Sequence, residues 1–165
     1  MGRLSEGAGV LNVLKTDHIV FPVWDAAASL KFYRDVMGFA LVDTYSGADW
    51  GGYPWLMMFF AAGDGREIVL VNLRGAKKPA SDGLARDVRH LAFSESSLSK
   101  LDAWRRKLKK AGIEIWVETH GKQRSLYFED PNGVVLEITA PPSKPAKRTS
   151  RAALAKATRW INAAS

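Results

Sequence analysis

Three titratable side chains that lie far apart along the chain have the types needed to bind a metal ion. His18 precedes Ile-Val-Phe, His90 precedes Leu-Ala-Phe, and Glu137 lies inside the apolar run Val134–Thr139. A carboxylate in an apolar run is costly to bury unless a metal or another cation compensates its charge. Two imidazoles and one carboxylate form a common ligand set for divalent ions. We therefore predict a metal site at His18, His90 and Glu137, which the fold must assemble because the spacing is non-local.

The absence of cysteine restricts the metal. Only nitrogen and oxygen ligands are available, which suits manganese, iron, zinc, nickel or magnesium rather than soft-metal chemistry. The alternative is a metal-free cleft, in which Glu137 pairs with Arg124 or Arg89 and the protein binds a small molecule without catalysis.

Length and hydropathy indicate a cytoplasmic protein with no membrane partner. The 165 residues suffice for one domain or two fused small units, and a hydrophobic content of 47% is ample for a core. No apolar stretch approaches the length of a membrane span, and residues 1–13 lack a hydrophobic signal segment.

The net charge of +7 is concentrated at the C-terminus. Residues 144–165 contain six basic residues and no acid, which leaves +1 (7 − 6) for the rest of the chain. The six are Lys144, Lys147, Arg148, Arg151, Lys156 and Arg159. Because the segment contains no recognised DNA-reading motif, we expect no nucleic-acid partner. We predict instead that this extension packs on the body or on a partner subunit.

An internal repeat supplies the elements that would position the three ligands. Each copy contains a histidine-bearing strand, an amphipathic helix with a capping residue, a glycine that ends the helix, and three further β-prone runs. The corresponding residues are His18, Asp25 and Gly38 in the first copy, and His90, Ser96 or Ser97, and Gly112 in the second. The histidine and the glycine are separated by 20 and 22 residues, which supports equating the two histidines.

The repeat predicts an α+β fold. Strands are predicted around residues 14–23, 39–45, 54–61 and 66–73, and again around 88–94, 113–118, 125–129 and 134–140, with turn signals at 63–65 and 130–133. We predict two tandem βαβββ modules, at 14–73 and 87–140, which form a half-open eight-stranded cleft within one domain. Residues 74–86 are the predicted linker, and 141–165 are a basic helical extension.

The alternation of side chains along a strand predicts where His90 points. His90 shares a face with Ala92 and Ser94, whereas Leu91 and Phe93 lie on the helix side, so His90 is expected to face the cleft. In the extension, an apolar stripe at Leu154, Ala157 and Ile161 predicts a helix that docks on another surface.

Four segments of the chain resemble the vicinal oxygen chelate superfamily, which includes glyoxalase I, extradiol dioxygenases, fosfomycin-resistance thiol transferases and bleomycin-resistance proteins. The segments are D-H-I-V-F-P-V, F-Y-R-D-V-M-G-F, R-H-L-A-F and L-Y-F-E-D-P-N-G-V-V-L-E, within residues 16–141. The resemblance implies a divalent ion held by His18, His90 and Glu137. Glyoxalase I-like members take a further ligand from the last strand of the first module, where Glu67, at the strand's edge, is a weak substitute.

The stretch from His120 to Glu137 resembles the signature of the ring-cleaving dioxygenases, H-x5-L-Y-x2-D-P-x-G-x3-E. The resemblance implies that Tyr127 and His120 hydrogen-bond substrate oxygens or assist proton transfer. Two features depart from the pattern: Glu118 replaces a small or apolar residue, and no pocket histidine occurs between residues 75 and 89. Tyr127 could instead be a core aromatic, and His120 could merely flank a turn.

The resemblance implies an extradiol-type dioxygenase acting on a small aromatic or vicinal-oxygen substrate, as a homodimer. Such an enzyme needs iron(II) or manganese(II), and zinc or nickel are further options for the metal. The alternatives are a glyoxalase-like lyase or isomerase, a thiol transferase, and a non-catalytic ligand-binding protein. Trp24, Trp50, Trp55 and Trp116 either line an apolar pocket or belong to the core, and Trp50, in a predicted loop, is the best pocket candidate. Each cleft is formed within one chain or by modules exchanged between subunits.

Overall fold

Both predicted modules are present in the computed structural model, which describes residues 14–144 and 150–163. The N-terminal segment 1–13, in which no signal sequence is expected, and part of the basic extension, with Lys147 and Arg148, lie outside the described residues. The eight strands form two four-stranded sheets, which confirms the predicted α+β class.

The first module begins with β1 (His18–Pro22) and α1 (Ala26–Lys31), which continues as a π-helical turn at Phe32–Val36. Three strands follow: β2 (Ala40–Trp50), β3 (Tyr53–Ala61) and β4 (Glu67–Leu73). The strand order is β1-β4-β3-β2, in which β1 is parallel to β4 and the other neighbours are antiparallel. The edge strand β1 therefore pairs with the last strand of its own module.

The second module repeats this topology. After a 3-10 turn at Arg86–Val88 come β5 (His90–Ser94), α2 (Leu98–Lys110), β6 (Trp116–His120), β7 (Gln123–Glu129) and β8 (Val135–Ala140). The strand order is β5-β8-β7-β6, and β5 is again parallel to β8. In both modules the predicted histidine is the first residue of the edge strand.

The predicted signals bound both helices. The Asp25 carboxylate accepts a hydrogen bond from the Ala28 N–H at 2.9 Å, and Ser97, rather than Ser96, caps α2 through the Lys100 N–H at 3.3 Å. After α2, Gly112 has φ +75°, and the Ile113 N–H donates back to the Leu108 carbonyl at 3.0 Å. Because this cap occupies the backbone of Ile113, β6 starts at Trp116 and not at the predicted residue 113.

The second sheet buries one of its faces against its helix. Leu126, Phe128, Leu136 and Ile138 alternate with the residues that share the face of His90, and none is more than 2% exposed. Helix α2, which contacts β7 and β8, buries its own Leu101 and Leu108 completely. The opposite face, termed the His90 face below, carries His90, Ala92 and Ser94 as predicted.

The chain separates into two compact units, and one of them includes a short segment from the opposite half of the sequence. One unit comprises the chain up to Ala85 together with Asp130–Val134, and the other comprises Arg86–Glu129 and the chain from Val135 onward. The turn between β7 and β8 is therefore grouped with the first module, although the strands that it joins belong to the second.

Helix α3 (Arg151–Ala163) is present in the extension, as expected. Its apolar residues are not buried, since Leu154 is 59% and Trp160 is 79% exposed. The expected packing of this stripe on the body is therefore not observed, and packing on a partner subunit stays a prediction. Among the described residues, no helix is long and apolar enough to cross a membrane.

Candidate metal and substrate site

His90 and Glu137 form the centre of the candidate site. Glu137, in β8, is aligned with Ala92 of β5 and so lies on the His90 face, one side-chain position along from His90. The Nε2 atom of His90 is 2.9 Å from Oε2 of Glu137, and Glu137 is only 7% exposed. The alternative partner Arg124 is 3.7 Å from Asp102. The histidine, and not Arg124, is therefore the described partner of the buried carboxylate.

A backbone hydrogen bond fixes the tautomer of His90. Its Nδ1 atom is 2.7 Å from the carbonyl oxygen of Asp87, which can only accept, so Nδ1 carries a proton. Nε2 and the Glu137 carboxylate then face each other at 2.9 Å, and this contact requires either a second proton or a cation between them. An Nδ1–H held by an oxygen, with Nε2 directed into the site, is the usual arrangement of a metal-binding histidine.

His18 is held in a similar way in the first module. Its Nδ1 atom lies 2.9 Å from a carboxylate oxygen of Asp17, which leaves Nε2 for a ligand, and its side chain is half exposed. His18 belongs to the first unit, whereas His90 and Glu137 belong to the second. Among the described residues, no cluster of three histidine or acidic side chains is arranged for a metal ion. The three-ligand site therefore stays a prediction.

Glu67, the weak fourth candidate, starts β4 and is aligned with His18 itself. The position that corresponds to Glu137 in the first module is Val69, because Val69 is aligned with Val20 as Glu137 is with Ala92. Glu67 therefore lies at the end of the strand, as the sequence indicated, and the first module has no acid in the middle of β4.

Tyr127 joins the pair directly. It is aligned with Glu137 across β7 and β8, and its ring meets the His90 ring edge to face, with the centroids 5.6 Å apart. Burial, followed by the negative charges of Glu137 and Glu118, raises the pKa of Tyr127 to about 12. The phenol therefore remains protonated at neutral pH, and in this site it is a hydrogen-bond donor rather than a base.

His120 lies on the same face but farther along the sheet. Its Nε2 atom is 3.2 Å from Glu118, and its side chain is 58% exposed. It is four residues from Trp116, the β6 residue aligned with Tyr127, which corresponds to about 13 Å along a strand. The structure brings Tyr127, and not His120, to His90 and Glu137.

Two further residues extend the site beyond Tyr127. The Trp116 indole stacks on the Tyr127 ring, with centroids 5.6 Å apart and planes inclined by 15°. The guanidinium carbon of Arg86 lies 3.9 Å from the centroid of the Trp116 ring. Trp116 was among the pocket candidates, and counting back in steps of two from His120 could have placed it on this face. No local signal distinguished Arg86, at the end of the predicted linker.

The D-P-N-G turn does more than reverse the chain. The Asn132 amide oxygen accepts from the Trp24 and Asp25 N–H groups at 2.8 and 3.3 Å, and its amide nitrogen donates to Ser29 Oγ at 2.8 Å. The Tyr33 hydroxyl donates to Asp130 at 3.2 Å. This network, the Asn132 cluster, holds the turn on the start of α1, whereas the D-P-N-G sequence indicates only a turn.

A family model for the Glyoxalase/Bleomycin resistance protein/Dioxygenase superfamily matches residues 15–138. The chain therefore belongs to this superfamily, which confirms the resemblance recognised in the sequence. No functionally curated protein matches the chain.

Solved structures agree with this assignment at the level of the fold. A glyoxylase/bleomycin resistance protein/dioxygenase domain from Frankia sp. EAN1pec is 21% identical, with a TM-score of 0.63 over 79% of this chain and 100% of that one. The fosfomycin resistance protein FosX from Listeria monocytogenes, solved with Mn(II) and sulfate, is 21% identical, with a TM-score of 0.57 over 79% and 95%. An oxidase, ChaP-H2, is 23% identical, with a TM-score of 0.57 over 79% and 96%.

Proposed function

We propose that the protein is a divalent-metal-dependent enzyme whose ion is held by His18, His90 and Glu137. The observation that carries this proposal is the contact between His90 Nε2 and Glu137 at 2.9 Å, with Nδ1 already committed to the Asp87 carbonyl. A buried carboxylate and a directed imidazole nitrogen are two ligands in one place. His18, equally held through Nδ1, supplies the third ligand from the first module of the same chain or of a partner subunit.

The donor set of nitrogen and oxygen atoms suits iron(II), manganese(II), zinc or nickel, and the dioxygenase reaction proposed below favours iron(II) or manganese(II). The Listeria protein of similar fold was solved with Mn(II). When bound, such an ion would act as a Lewis acid toward two neighbouring substrate oxygens. Each active unit is proposed to be a homodimer.

For the reaction, we propose extradiol-type cleavage of a small aromatic diol. Both atoms of dioxygen enter the ring-opened product, so that no external reductant is needed. Tyr127, kept protonated by burial and by Glu137, donates a hydrogen bond to a substrate oxygen and orients the diol. Trp116, stacked on Tyr127, provides a flat apolar surface beside it and keeps water from one side of the phenol.

The second candidate is a lyase, isomerase or thiol transferase that uses the same ion. The observation that favours it is the absence of a pocket histidine between residues 75 and 89, a residue that the ring-cleaving enzymes use. A non-catalytic binding protein is the alternative from another class, in which His90 would neutralise Glu137 without a metal.

Metal analysis of protein purified without chelator tests the proposal. We expect one manganese or iron per chain, lost in His90→Ala and retained in His120→Ala, whose histidine also pairs with a glutamate. Oxygen uptake with catechol then separates the dioxygenase from the lyase and transferase. Two results together would contradict the proposal and favour the binding protein: the wild-type protein folds normally without metal, and its metal content is the same as that of His90→Ala.

A further inference from the structure

Arg86 lies at the far end of the row of contacts that starts at His90. The row runs from His90 to the edge of Tyr127, from Tyr127 to the stacked Trp116, and from Trp116 to the Arg86 guanidinium. Arg86 also opens the 3-10 turn Arg86–Val88, in which the Asp87 carbonyl holds His90 Nδ1. One short turn therefore positions both a proposed metal ligand and a cation on the same aromatic row.

The guanidinium retains donors for a ligand. Its described acidic partner is Glu129, with a nitrogen–oxygen distance of 3.5 Å, and the two side chains are 52% and 41% exposed. This is a long, solvent-screened contact. A guanidinium that stacks on an indole uses its flat face for that contact and leaves the N–H groups at its edge to bind a carboxylate or a phosphonate.

The negative charge on the His90 face means that an anionic ligand needs a cation nearby, and Arg86 is positioned to provide it. Glu118, Glu129 and Glu137 all lie on this face by register, so an anionic ligand that approaches it is repelled unless a cation compensates. The proposed metal would neutralise Glu137 and bind the diol oxygens. A second anionic group on the substrate would need a cation of its own. Arg86 can provide it, because only the rings of Tyr127 and Trp116 lie between Arg86 and His90 in this row of contacts.

We propose that Arg86 is a specificity-determining residue that selects substrates bearing a carboxylate or phosphonate in addition to the vicinal oxygens. This rests on the proposed function for the identity of the diol, but not for the recognition of the anion. The ring of the substrate would lie between the diol end, at His90 and Glu137, and the anionic end, at Arg86.

Calorimetry with matched probes tests this inference. The probes are 3,4-dihydroxybenzoate, its neutral isostere 3,4-dihydroxybenzamide, and 3,4-dihydroxyphenylphosphonate, each titrated into protein with and without Mn(II). We expect wild type to bind the benzoate or the phosphonate about tenfold more tightly than the benzamide, as one charge-assisted bidentate contact allows. Whichever of the two anions binds more tightly identifies the source of the negative charge.

Three variants assign the preference to Arg86. Arg86→Gln should bind all probes as weakly as the benzamide, and Arg86→Lys should retain only part of the preference because an ammonium lacks the planar fork. Arg66→Gln is the matched control, since Arg66 is 56% exposed and pairs with Asp64 at 3.2 Å in the first module. It should leave every affinity unchanged. An unchanged affinity for the benzamide in Arg86→Gln shows that the variant is folded.

The outcomes separate this inference from the proposed function. Any of three results would overturn the role of Arg86. In the first, wild type binds the anionic and neutral probes equally; in the second, it binds no probe; in the third, the preference for the anionic probes survives in Arg86→Gln. A preference that requires Arg86, but with affinities that do not respond to Mn(II), supports Arg86 and contradicts the metal-dependent function.

Discussion

The two modules share one topology but carry different chemistry at equivalent positions. The row of residues aligned across the first sheet is Val20, Val69, Phe59 and Asp43, and the equivalent row in the second sheet is Ala92, Glu137, Tyr127 and Trp116. Val69 is fully buried and apolar where Glu137 is a buried acid, and Phe59 lacks the hydroxyl of Tyr127. Both modules have kept the histidine of the edge strand. The comparison teaches that the second sheet carries an acid and a phenol at positions where the first sheet carries apolar side chains.

The largest expected effect comes from removing the acid that distinguishes the second module. Glu137→Gln keeps the shape of the side chain but removes the charge that a divalent ion needs. Losing a residue that only hydrogen-bonds to a metal ligand lowers metal affinity by up to about 100-fold, so losing a ligand itself should lower Mn(II) affinity by at least that much. Glu118→Gln, on the same face, is the control. Titration calorimetry measures both, and equal affinities in the two variants would refute the assignment.

The hairpin turns of the two modules differ as well. Asp64, in the first, is an exposed turn residue, whereas Asn132, in the second, is 5% exposed and fully hydrogen-bonded. Asn132→Ala leaves the backbone N–H groups of Trp24 and Asp25, at the start of α1, without their hydrogen-bond acceptor. The substitution should lower the free energy of unfolding by about 2–4 kcal/mol.

Asp64→Ala is the matched change in the first hairpin and should remain within about 0.5 kcal/mol of wild type. Urea unfolding monitored by circular dichroism gives both values. Similar losses in the two variants would mean that the turns are equivalent after all, and that the Asn132 cluster adds no stability of its own.

A pH effect is expected from Tyr33, the buried tyrosine of the first module. Burial, and then the nearby Asp130 carboxylate that accepts its hydrogen bond, raise the pKa of Tyr33 far above its usual value of 10. Above pH 10 the unfolded chain loses this proton while the folded protein keeps it, so stability should fall as pH rises, by up to about 1.4 kcal/mol per pH unit. Below pH 10 this contribution is fully present.

Tyr33→Phe has no proton to lose, and its stability should therefore depend less steeply on pH above 10 than that of wild type. Unfolding free energies between pH 9 and pH 11 measure the two slopes. Parallel slopes in wild type and Tyr33→Phe would show that the phenol does not contribute to the alkaline loss of stability.

The smallest expected effect concerns the apolar hairpin of the first module. The Trp55 indole lies so close over Gly47 that a Cβ there would be 2.5 Å from its Nε1 atom. Gly47→Ala must displace this partly exposed ring and should cost about 1 kcal/mol, with a shift in tryptophan fluorescence. Gly63→Ala meets no atom within 4 Å and should change neither quantity. An unshifted spectrum in Gly47→Ala would contradict this packing.

Local patterns in the sequence predicted most of the fold. Alternation along β5 placed His90 opposite the core, and the caps Asp25 and Ser97 and the helix-ending Gly112 all act as their residue types indicate. These features depend on neighbours within a few residues, which a sequence displays directly. His90 and Glu137 were expected in one metal site, and the structure brings their side chains to 2.9 Å from each other, whereas the metal itself stays a prediction.

Long-range contacts could not be predicted in this way. Asn132 and Trp24 are 108 residues apart, and nothing in the D-P-N-G sequence shows that the turn would be buried. Arg86 is 30 positions from Trp116 and resembles any other linker cation until the sheet brings the two together. Such contacts depend on tertiary packing, which local propensity does not encode.

The Asn132 cluster has a consequence for synthesis of the protein on the ribosome. The first compact unit includes Asp130–Val134, so it lacks its last part until the chain has been extended well beyond Ala85. Until then the nascent first half exposes the Ser29 and Tyr33 hydroxyls and the start of α1 without the turn that they bind. The first half of this duplication is therefore expected to complete its fold only after the turn in the second half has been synthesised.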